Sequence, residues 1–254
     1  MNQIRAVIFD LGNTLMFLDD EWETVRRRGA HDLVEFLTKR GIDIDPQRFG
    51  EEYLHTRQFF YDKSLQEERE YTAAHTLEHA LRQSGQRGIT DELVQGALRS
   101  FFSFEEQRWR AYDESESTLR ELAERGYRLA LISNATDDPL IQRLVDSFGF
   151  RRWFELAITS AGVGLRKPHP GIFQKVLSQW DFSPSQVAMV GDTLRFDIAG
   201  ARNCGLRGVL AAWDLYPDYD AEADHVVPEA TADSLSHLVE LISGMDAQRR
   251  QGLR

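Results

Sequence analysis

Short apolar runs alternate with longer amphipathic stretches through the second half of this chain. The apolar runs fall at 127–132, 154–159, 186–190 and 207–213, and a weaker run falls at 225–227. The stretches between them, at 117–126, 138–149, 170–180 and 234–242, carry apolar residues at helical spacing. This alternation predicts βα units arranged around a parallel sheet. One further strand, at 4–9, stands alone near the N-terminus.

The segment 17–110, between that first strand and the rest, has the pattern of helices rather than of strands. Gly41 and Gly85 fall where helices are expected to stop. The segment is rich in aromatic residues at helical spacing, which favours the core of a helical bundle, with some aromatic rings left at a rim that faces a ligand. We therefore predict an α/β core from 1–16 and 111–254, interrupted by an all-helical domain at 17–110.

Composition narrows the class of protein. The chain has 254 residues, 42% of them hydrophobic, with 41 acidic and 30 basic side chains and a net charge of -11. The charge disfavours nucleic acid as a partner, and the absence of a long apolar stretch disfavours a membrane span. The first ten residues lack the pattern of a secretory signal, and Cys204 is the only cysteine. These features predict a cytoplasmic protein that binds neither nucleic acid nor membrane.

Chemically capable side chains follow several of the predicted strands. Asp10 ends the first strand, Ser133 and Asn134 end the run at 127–132, Lys167 follows the run at 154–159, and Asp192 follows 186–190. In an open parallel sheet, ligands bind beyond the carboxyl ends of the strands, where these loops converge. We therefore expect these side chains to lie around one site.

Four motifs resemble those of the haloacid dehalogenase-like hydrolase superfamily. They are IFDLGNTL at 8–15, LISNAT at 131–136, LRKPHPGIF at 165–173 and VGDTLRFDIAGA at 190–201, in the order of the superfamily. The resemblance implies a Rossmann-like, three-layer α/β core with a helical cap domain at the inserted segment. It also implies a magnesium-dependent phosphatase that acts on a small phosphorylated metabolite.

The residues support that chemistry. Asp10 would be the nucleophile that forms an aspartyl-phosphate, which water then cleaves. Phosphoryl transfer depends on positioning and on neutralising the phosphoryl oxygens. Lys167 would supply a cation, the hydroxyl of Ser133 would donate to a phosphoryl oxygen, and the backbone N–H of Asn134 would join it.

The acidic residues of the fourth motif predict a metal site. Asp10, Asp192 and Asp197 would repel one another unless a hard cation with a preference for oxygen lay among them. Mg²⁺ meets that need, held by Asp10, the backbone carbonyl of Gly12, Asp192 and Asp197, the last directly or through water. The other interpretation of Asp197 is a charge at the N-terminus of the helix that begins near Leu194.

One residue departs from the superfamily pattern. Its phosphatases usually carry a second aspartate two places after the nucleophile, which protonates the leaving oxygen, and Gly12 occupies that position here. Glycine offers a carbonyl and suits a sharp turn, but it has no proton to give. The departure favours leaving groups that need no acid, or an acid recruited from the cap, for which Asp19 and Asp20 are candidates.

Two other functions compete with the phosphatase. Dehalogenases related to this superfamily also use an aspartate nucleophile, lack the second aspartate and work without metal, so Gly12 agrees with either class. The acidic pair Asp192 and Asp197 would burden a metal-free enzyme, which favours the phosphatase. The third alternative is a catalytically weakened protein that binds a phosphorylated ligand, although the other motifs are intact.

Overall fold

The structure is a computed structural model that describes residues 3–214 and 225–245. The strands are β1 (Ala6–Phe9), β2 (Met16–Leu18), β3 (Trp109–Ala111), β4 (Arg128–Ser133), β5 (Leu156–Thr159), β6 (Val187–Gly191), β7 (Arg207–Ala211) and β8 (Ala230–Ala232). The helices are α1 (Trp22–Lys39), α2 (Phe49–Glu67), α3 (Ala73–Gln83), α4 (Asp91–Glu106), α5 (Ser115–Glu124), α6 (Asp138–Ser147), α7 (Ser160–Val163), α8 (Pro170–Leu177), α9 (Ala199–Asn203) and α10 (Leu235–Gly244). A π-helical turn, Leu194–Ile198, leads into α9.

Six strands form one parallel sheet in the order β5-β4-β1-β6-β7-β8. The chain builds outward from β1 through β4 to β5, and then returns to the other side of β1 to build β6, β7 and β8. The strand order therefore reverses beside β1, and loops that leave β1 and β6 diverge there. This Rossmann-like α/β core confirms the predicted fold class.

The two faces of the sheet are buried against different helices, which explains the continuous apolar runs of the strands. In β1, Val7 and Phe9 pack in the cluster that contains the apolar residues of α5, α6 and α10. Ala6 and Ile8 point to the opposite face and pack with α8 and Trp180. The alternation in one strand thus supplies both layers of the core.

The four helices α1 to α4 form the inserted domain. Their apolar faces pack together and continue into the core cluster on one face of the sheet. Gly41 and Gly85 adopt φ of 74° and 89° just after α1 and α3, in agreement with the predicted helix stops. Aromatic residues of the inserted helices take both predicted positions. Tyr53 is buried in the helical bundle, and Trp22 lines a cavity.

Two details differ from the sequence predictions. The inserted segment is joined to the core by a two-stranded antiparallel ribbon of β2 and β3, in which Met16 pairs with Ala111. The run at 225–227 is not a strand, and the edge strand β8 forms at Ala230–Ala232 instead. The C-terminal segment after Met245, whose sequence is polar, lies outside the described residues. Among the residues that the structure describes, no helix is long and apolar enough to cross a membrane.

Candidate active site

The predicted polar residues surround the point where the strand order reverses. Asp10 directly follows β1, Ser133 is the last residue of β4, and Asp192 directly follows β6. Lys167 lies in the loop between α7 and α8, and it reaches Asp10 across the sheet edge. The parallel topology thus brings together residues that are far apart in the sequence.

Lys167 is the centre of a buried hydrogen-bond network. Its Nζ donates to Oδ1 of Asp10 at 2.5 Å, to Oδ1 of Asp197 at 2.6 Å and to the carbonyl of Ile132 at 2.9 Å. The side chain of Lys167 is only 2% exposed. An ammonium has three donors, and these three acceptors use them all in this arrangement. The network fixes the Nζ of Lys167 beside the carboxylate of Asp10.

Burial and mutual repulsion dominate the electrostatics of the acidic cluster. Asp10, Asp192 and Asp197 each offer an oxygen that lies within 4.8 Å of the others. Burial raises the pKa of Asp10 to about 6, with Asp197 adding to the rise and Lys167 opposing it. Burial also raises the pKa of Asp192 to about 8, reinforced by Asp10 and Asp197. One lysine therefore does not neutralise the cluster.

The same carboxylates stabilise the cationic form of Lys167. Burial alone would lower the pKa of its ammonium, but the charges of Asp10 and Asp197 raise the pKa above its ordinary value. Lys167 is consequently a permanent cation at the site.

Asp197 is held on both of its carboxylate oxygens. Oδ1 accepts from Lys167, and Oδ2 accepts from the backbone N–H of Thr193 at 3.1 Å and from its hydroxyl at 2.6 Å. A Cβ at Gly191 would overlap the carboxyl carbon of Asp197, so glycine is needed there for the close approach. The bonding favours Asp197 as the residue that orients Lys167, and a direct role in metal binding stays a prediction.

Asn134 contributes through its side chain, which the sequence analysis did not foresee. Its Oδ1 accepts from the backbone N–H of Lys167 at 2.8 Å, and its Nδ2 donates to the carbonyl of Lys167 at 3.0 Å. This pair of bonds ties the loop that carries Lys167 to the end of β4. Ser133 is 5% exposed and lines the cavity beside it.

Two further contributors were missed in the sequence. Asn13 donates from Nδ2 to Oδ2 of Asp192 at 3.3 Å, and Thr193 holds Asp197 as described above. Each is a common polar residue in a loop, and only its position beside a motif aspartate could have drawn attention to it.

The turn after β1 depends on Asn13 rather than on Gly12. Asn13 has φ of 53°, whereas the backbone of Gly12 lies outside the left-handed region. Asparagine tolerates this conformation better than most residues. Position 12 therefore does not need glycine for a left-handed backbone conformation.

A large cavity lies between the inserted helices and the carboxyl edge of the sheet. Its volume is about 730 Å³, within the usual range for small-molecule sites. Asp10, Gly12, Ser133, Asn134, Lys167, Asp192 and Asp197 form its floor, and residues of α1, α2 and α4 form its roof. The candidate acids Asp19 and Asp20 do not line this cavity. Asp19 pairs with Arg110, and Asp20 pairs with Arg108.

The fold and the site together define a capped α/β hydrolase with a buried carboxylate at the switch point of its sheet. The family model of haloacid dehalogenase-like hydrolases matches residues 4–205. The chain therefore belongs to the haloacid dehalogenase-like hydrolase family.

Individual relatives include both phosphatases and dehalogenases. Ribulose-1,5-bisphosphate 5-phosphatase of Halopiger xanaduensis is 30% identical over 251 residues, which cover 94% of this chain and 99% of the relative. Glyceraldehyde 3-phosphate phosphatase of Pyrococcus furiosus is 25% identical, covering 98% of each chain. Among solved structures, 2-haloacid dehalogenase of Pseudomonas syringae has a TM-score of 0.69 and 25% identity, covering 96% of this chain and 100% of that one.

Proposed function

We propose that this enzyme is a magnesium-dependent phosphomonoester hydrolase that acts through an aspartyl-phosphate on Asp10. The observation that carries the proposal is the contact of Asp10 with Lys167 inside a cluster of three buried carboxylates. A site of this kind suits a substrate that arrives as a dianion together with a divalent cation. We expect the enzyme to be cytoplasmic and to act on a small phosphorylated metabolite, with no nucleic-acid partner.

In the first half of the reaction, a carboxylate oxygen of Asp10 attacks phosphorus and the bond from phosphorus to the ester oxygen breaks. The leaving oxygen departs as an anion and takes its proton from water, and the phosphoryl group stays on Asp10 as an acyl phosphate. The hydroxyl of Ser133 holds a phosphoryl oxygen, and the positive charge of Lys167 beside Asp10 stabilises the negative charge of the phosphoryl group. In the second half, water attacks the same phosphorus, inorganic phosphate leaves, and the carboxylate of Asp10 is restored.

The acidic cluster fits a hard divalent cation. Its donors are oxygens that lie within 4.8 Å of one another, and burial and mutual repulsion raise the pKa values of Asp10 and Asp192. Asp10, Asp192 and the carbonyl of Gly12 would hold Mg²⁺. Asp197, which contacts Lys167, would bind the ion directly or through water. When bound, the ion neutralises charge on the phosphoryl oxygens and on the carboxylates.

The protein supplies no carboxyl group at position 12 to protonate the leaving oxygen. We therefore infer that preferred substrates have leaving groups that depart with little protonation, such as acyl or anomeric phosphates. General acid catalysis is typically worth about 10²- to 10⁴-fold, so its loss lowers the rate on alkyl phosphates without abolishing the chemistry.

Carbon–halogen hydrolysis is the second candidate, favoured by Gly12 and by the likeness to a 2-haloacid dehalogenase. The two functions are separated by assaying an activated aryl phosphate and a 2-haloacid, each with Mg²⁺ and with a chelator. Phosphate release that requires Mg²⁺ and disappears in Asp10→Asn supports the proposal. Halide release that persists in the chelator would instead establish the dehalogenase, and activity on neither compound would favour a binding protein.

A further inference from the structure

One face of α2 carries charge and aromatic rings into the cavity. Arg57 and Tyr61 are four residues apart on this helix, so they share a face, and both line the cavity. Tyr53, one turn before Arg57, lies on the same face and is buried in the helical bundle. This face lies opposite the phosphoryl-binding floor.

Arg57 is held by aromatic rings instead of by an acid. Its guanidinium carbon lies 4.6 Å from the ring centre of Phe101 and 5.5 Å from that of Phe102. Nη1 is buried without a hydrogen-bond partner, and among the described residues no carboxylate oxygen lies within 4.0 Å of the guanidinium.

A second arginine approaches the same helix face from the core. Arg166 precedes Lys167, is 5% exposed, and places its guanidinium 5.2 Å from the ring centre of Tyr61. Its Nε and Nη1 are buried without hydrogen-bond partners, and its ion pair with Glu70 is long, at 3.6 Å. Tyr61 follows Arg57 by about one helical turn, a rise of about 5.4 Å along α2, and the charges of both arginines act on the carboxyl group of Glu70. Donors of two arginines therefore flank one region of the cavity.

The carboxylates around this region are bonded to other groups. Oε2 of Glu70 accepts from Ser160 at 2.7 Å, and Oε1 of Glu105 accepts from Nε1 of Trp109 at 3.3 Å. Asp137 accepts from the backbone N–H of Leu140 at 2.8 Å, as the N-cap of α6.

Burial raises the pKa of Glu70, Glu105 and Asp137, and the charge of Arg57 opposes each of these shifts. The surroundings thus disfavour the charged form of the carboxyl groups, whereas a guanidinium remains charged at every physiological pH. Unused cationic donors call for an acceptor that the described residues do not supply, and an oxyanion matches the planar fork of arginine best.

We propose that Arg57 and Arg166 form a second oxyanion subsite, so that the substrate is a small phosphomonoester with an additional carboxylate or phosphoryl group. This inference rests on the proposed function for the reacting phosphoryl group. The floor of the cavity holds that group at Asp10 and Lys167, and the second subsite holds the other end of the same molecule. The cavity of about 730 Å³ has room for both ends.

The test measures binding separately from turnover. In an Asp10→Asn background, calorimetry with Mg²⁺ compares 3-phosphoglycerate and 1,3-propanediol bisphosphate with glycerol 3-phosphate, which has no second anionic group. We expect a compound with a second anion to bind about 10²-fold or more tightly than glycerol 3-phosphate, because each of the two arginines contributes about 10-fold or more. The carboxylate and the bisphosphate arms show which oxyanion the subsite prefers.

Variants test whether the two arginines cause the preference for compounds with a second anionic group. Arg57→Met should reduce it by about 10- to 100-fold, the range of a charge-assisted hydrogen bond, while the affinity for glycerol 3-phosphate stays within about threefold. Arg57→Lys should retain part of the preference, and Arg166→Met should repeat the loss. Arg27→Met is the matched control, because Arg27 also lines the cavity but is exposed and paired with Glu23. Thermal melting checks that each variant is folded.

The outcomes separate this inference from the proposed function. Equal affinity for singly and doubly anionic compounds, or an equal loss for both in Arg57→Met, overturns the second subsite. If the unmodified enzyme still hydrolyses an aryl phosphate in that case, the proposed function stands. If the anion preference is present but no phosphomonoester is hydrolysed, the subsite stands and the proposed function is wrong.

Discussion

Replacing Gly12 by aspartate should restore a general acid and widen the range of leaving groups. The site can accept the side chain, because an added Cβ would lie 3.6 Å from Cη2 and 3.9 Å from Cζ3 of Trp109, which are ordinary contacts. The backbone of Gly12 also lies outside the left-handed region, so no conformational strain opposes the change. The substitution is therefore a test of chemistry rather than of folding.

Two effects of Gly12→Asp oppose each other. A general acid contributes about 10²- to 10⁴-fold, or roughly 3 to 5 kcal/mol of activation free energy, when the leaving group needs a proton. A fourth carboxylate about 5 Å from Asp10 repels it by about 3 kcal/mol at an effective dielectric constant of 20, before the divalent cation offsets that repulsion. The absolute rate on any one substrate therefore combines a gain and a cost.

The ratio of kcat/KM for two substrates separates the gain from general acid catalysis from the cost of charge repulsion. An alkyl phosphate and an aryl phosphate carry the same phosphoryl dianion and experience the same repulsion, but only the alkyl leaving group needs the proton. We expect kcat/KM for an alkyl phosphate, divided by kcat/KM for p-nitrophenyl phosphate, to rise about 10²- to 10⁴-fold in Gly12→Asp. Gly12→Asn, similar in size and without an acidic proton, is the control and should leave the ratio near its original value. An unchanged ratio in Gly12→Asp, or an equal rise in Gly12→Asn, would refute the reasoning.

Three other predictions follow from the buried charges. Lys167→Met removes the cation that contacts Asp10 and Asp197, and steady-state assays of aryl phosphate hydrolysis should show a loss of at least about 10³-fold. Thr193→Val keeps the shape but deletes the 2.6 Å bond to Asp197; kcat should fall about 10-fold while the Tm changes by only a few degrees, and unchanged kcat would contradict a positioning role. The folded-state pKa of Asp192, about 8, lies above its ordinary 3.8, so the folded protein binds more protons than the unfolded chain between these values and its stability falls as pH rises across that window. In a chelator the Tm should therefore be higher at pH 6 than at pH 8, and Mg²⁺ should raise the Tm more at pH 8. Asp192→Asn should weaken both effects, while Asp10, whose pKa is raised to about 6, still contributes. A Tm independent of Mg²⁺ at both pH values would count against the metal site.

The sequence predicted the residues whose position depends on topology alone. Asp10, Ser133 and Asp192 end or follow buried parallel strands, and any right-handed βα arrangement brings such ends to one edge of the sheet. The sheet and the inserted helices follow from hydrophobic periodicity in the same way. By contrast, β2 and β3 are three residues each, and they pair between distant parts of the chain, so their local patterns carry little signal.

Residues that act through side-chain orientation were not predictable from the pattern. Asn134 was expected to contribute its backbone N–H, and its side chain is instead bonded to both backbone groups of Lys167. Asp19 was a candidate acid from the inserted segment, but it directly follows β2 and its side chain pairs with Arg110 instead. A spacing in sequence fixes neither a rotamer nor the direction of a turn.

The residues that line the roof of the cavity show why the substrate preference of the enzyme is harder to derive from sequence than its reaction mechanism. The chemistry depends on a few groups that the sheet edge places together, and such groups are marked by their positions after strands. Arg57 is one of 26 arginines, and nothing in its local sequence marks it; helix packing turns it toward the cavity and against the rings of Phe101 and Phe102. Its function is thus a property of the contact between α2 and α4, which no single stretch of sequence encodes. Substitutions within that contact should therefore alter which phosphomonoesters bind, while Asp10 and Lys167 continue to determine how they react.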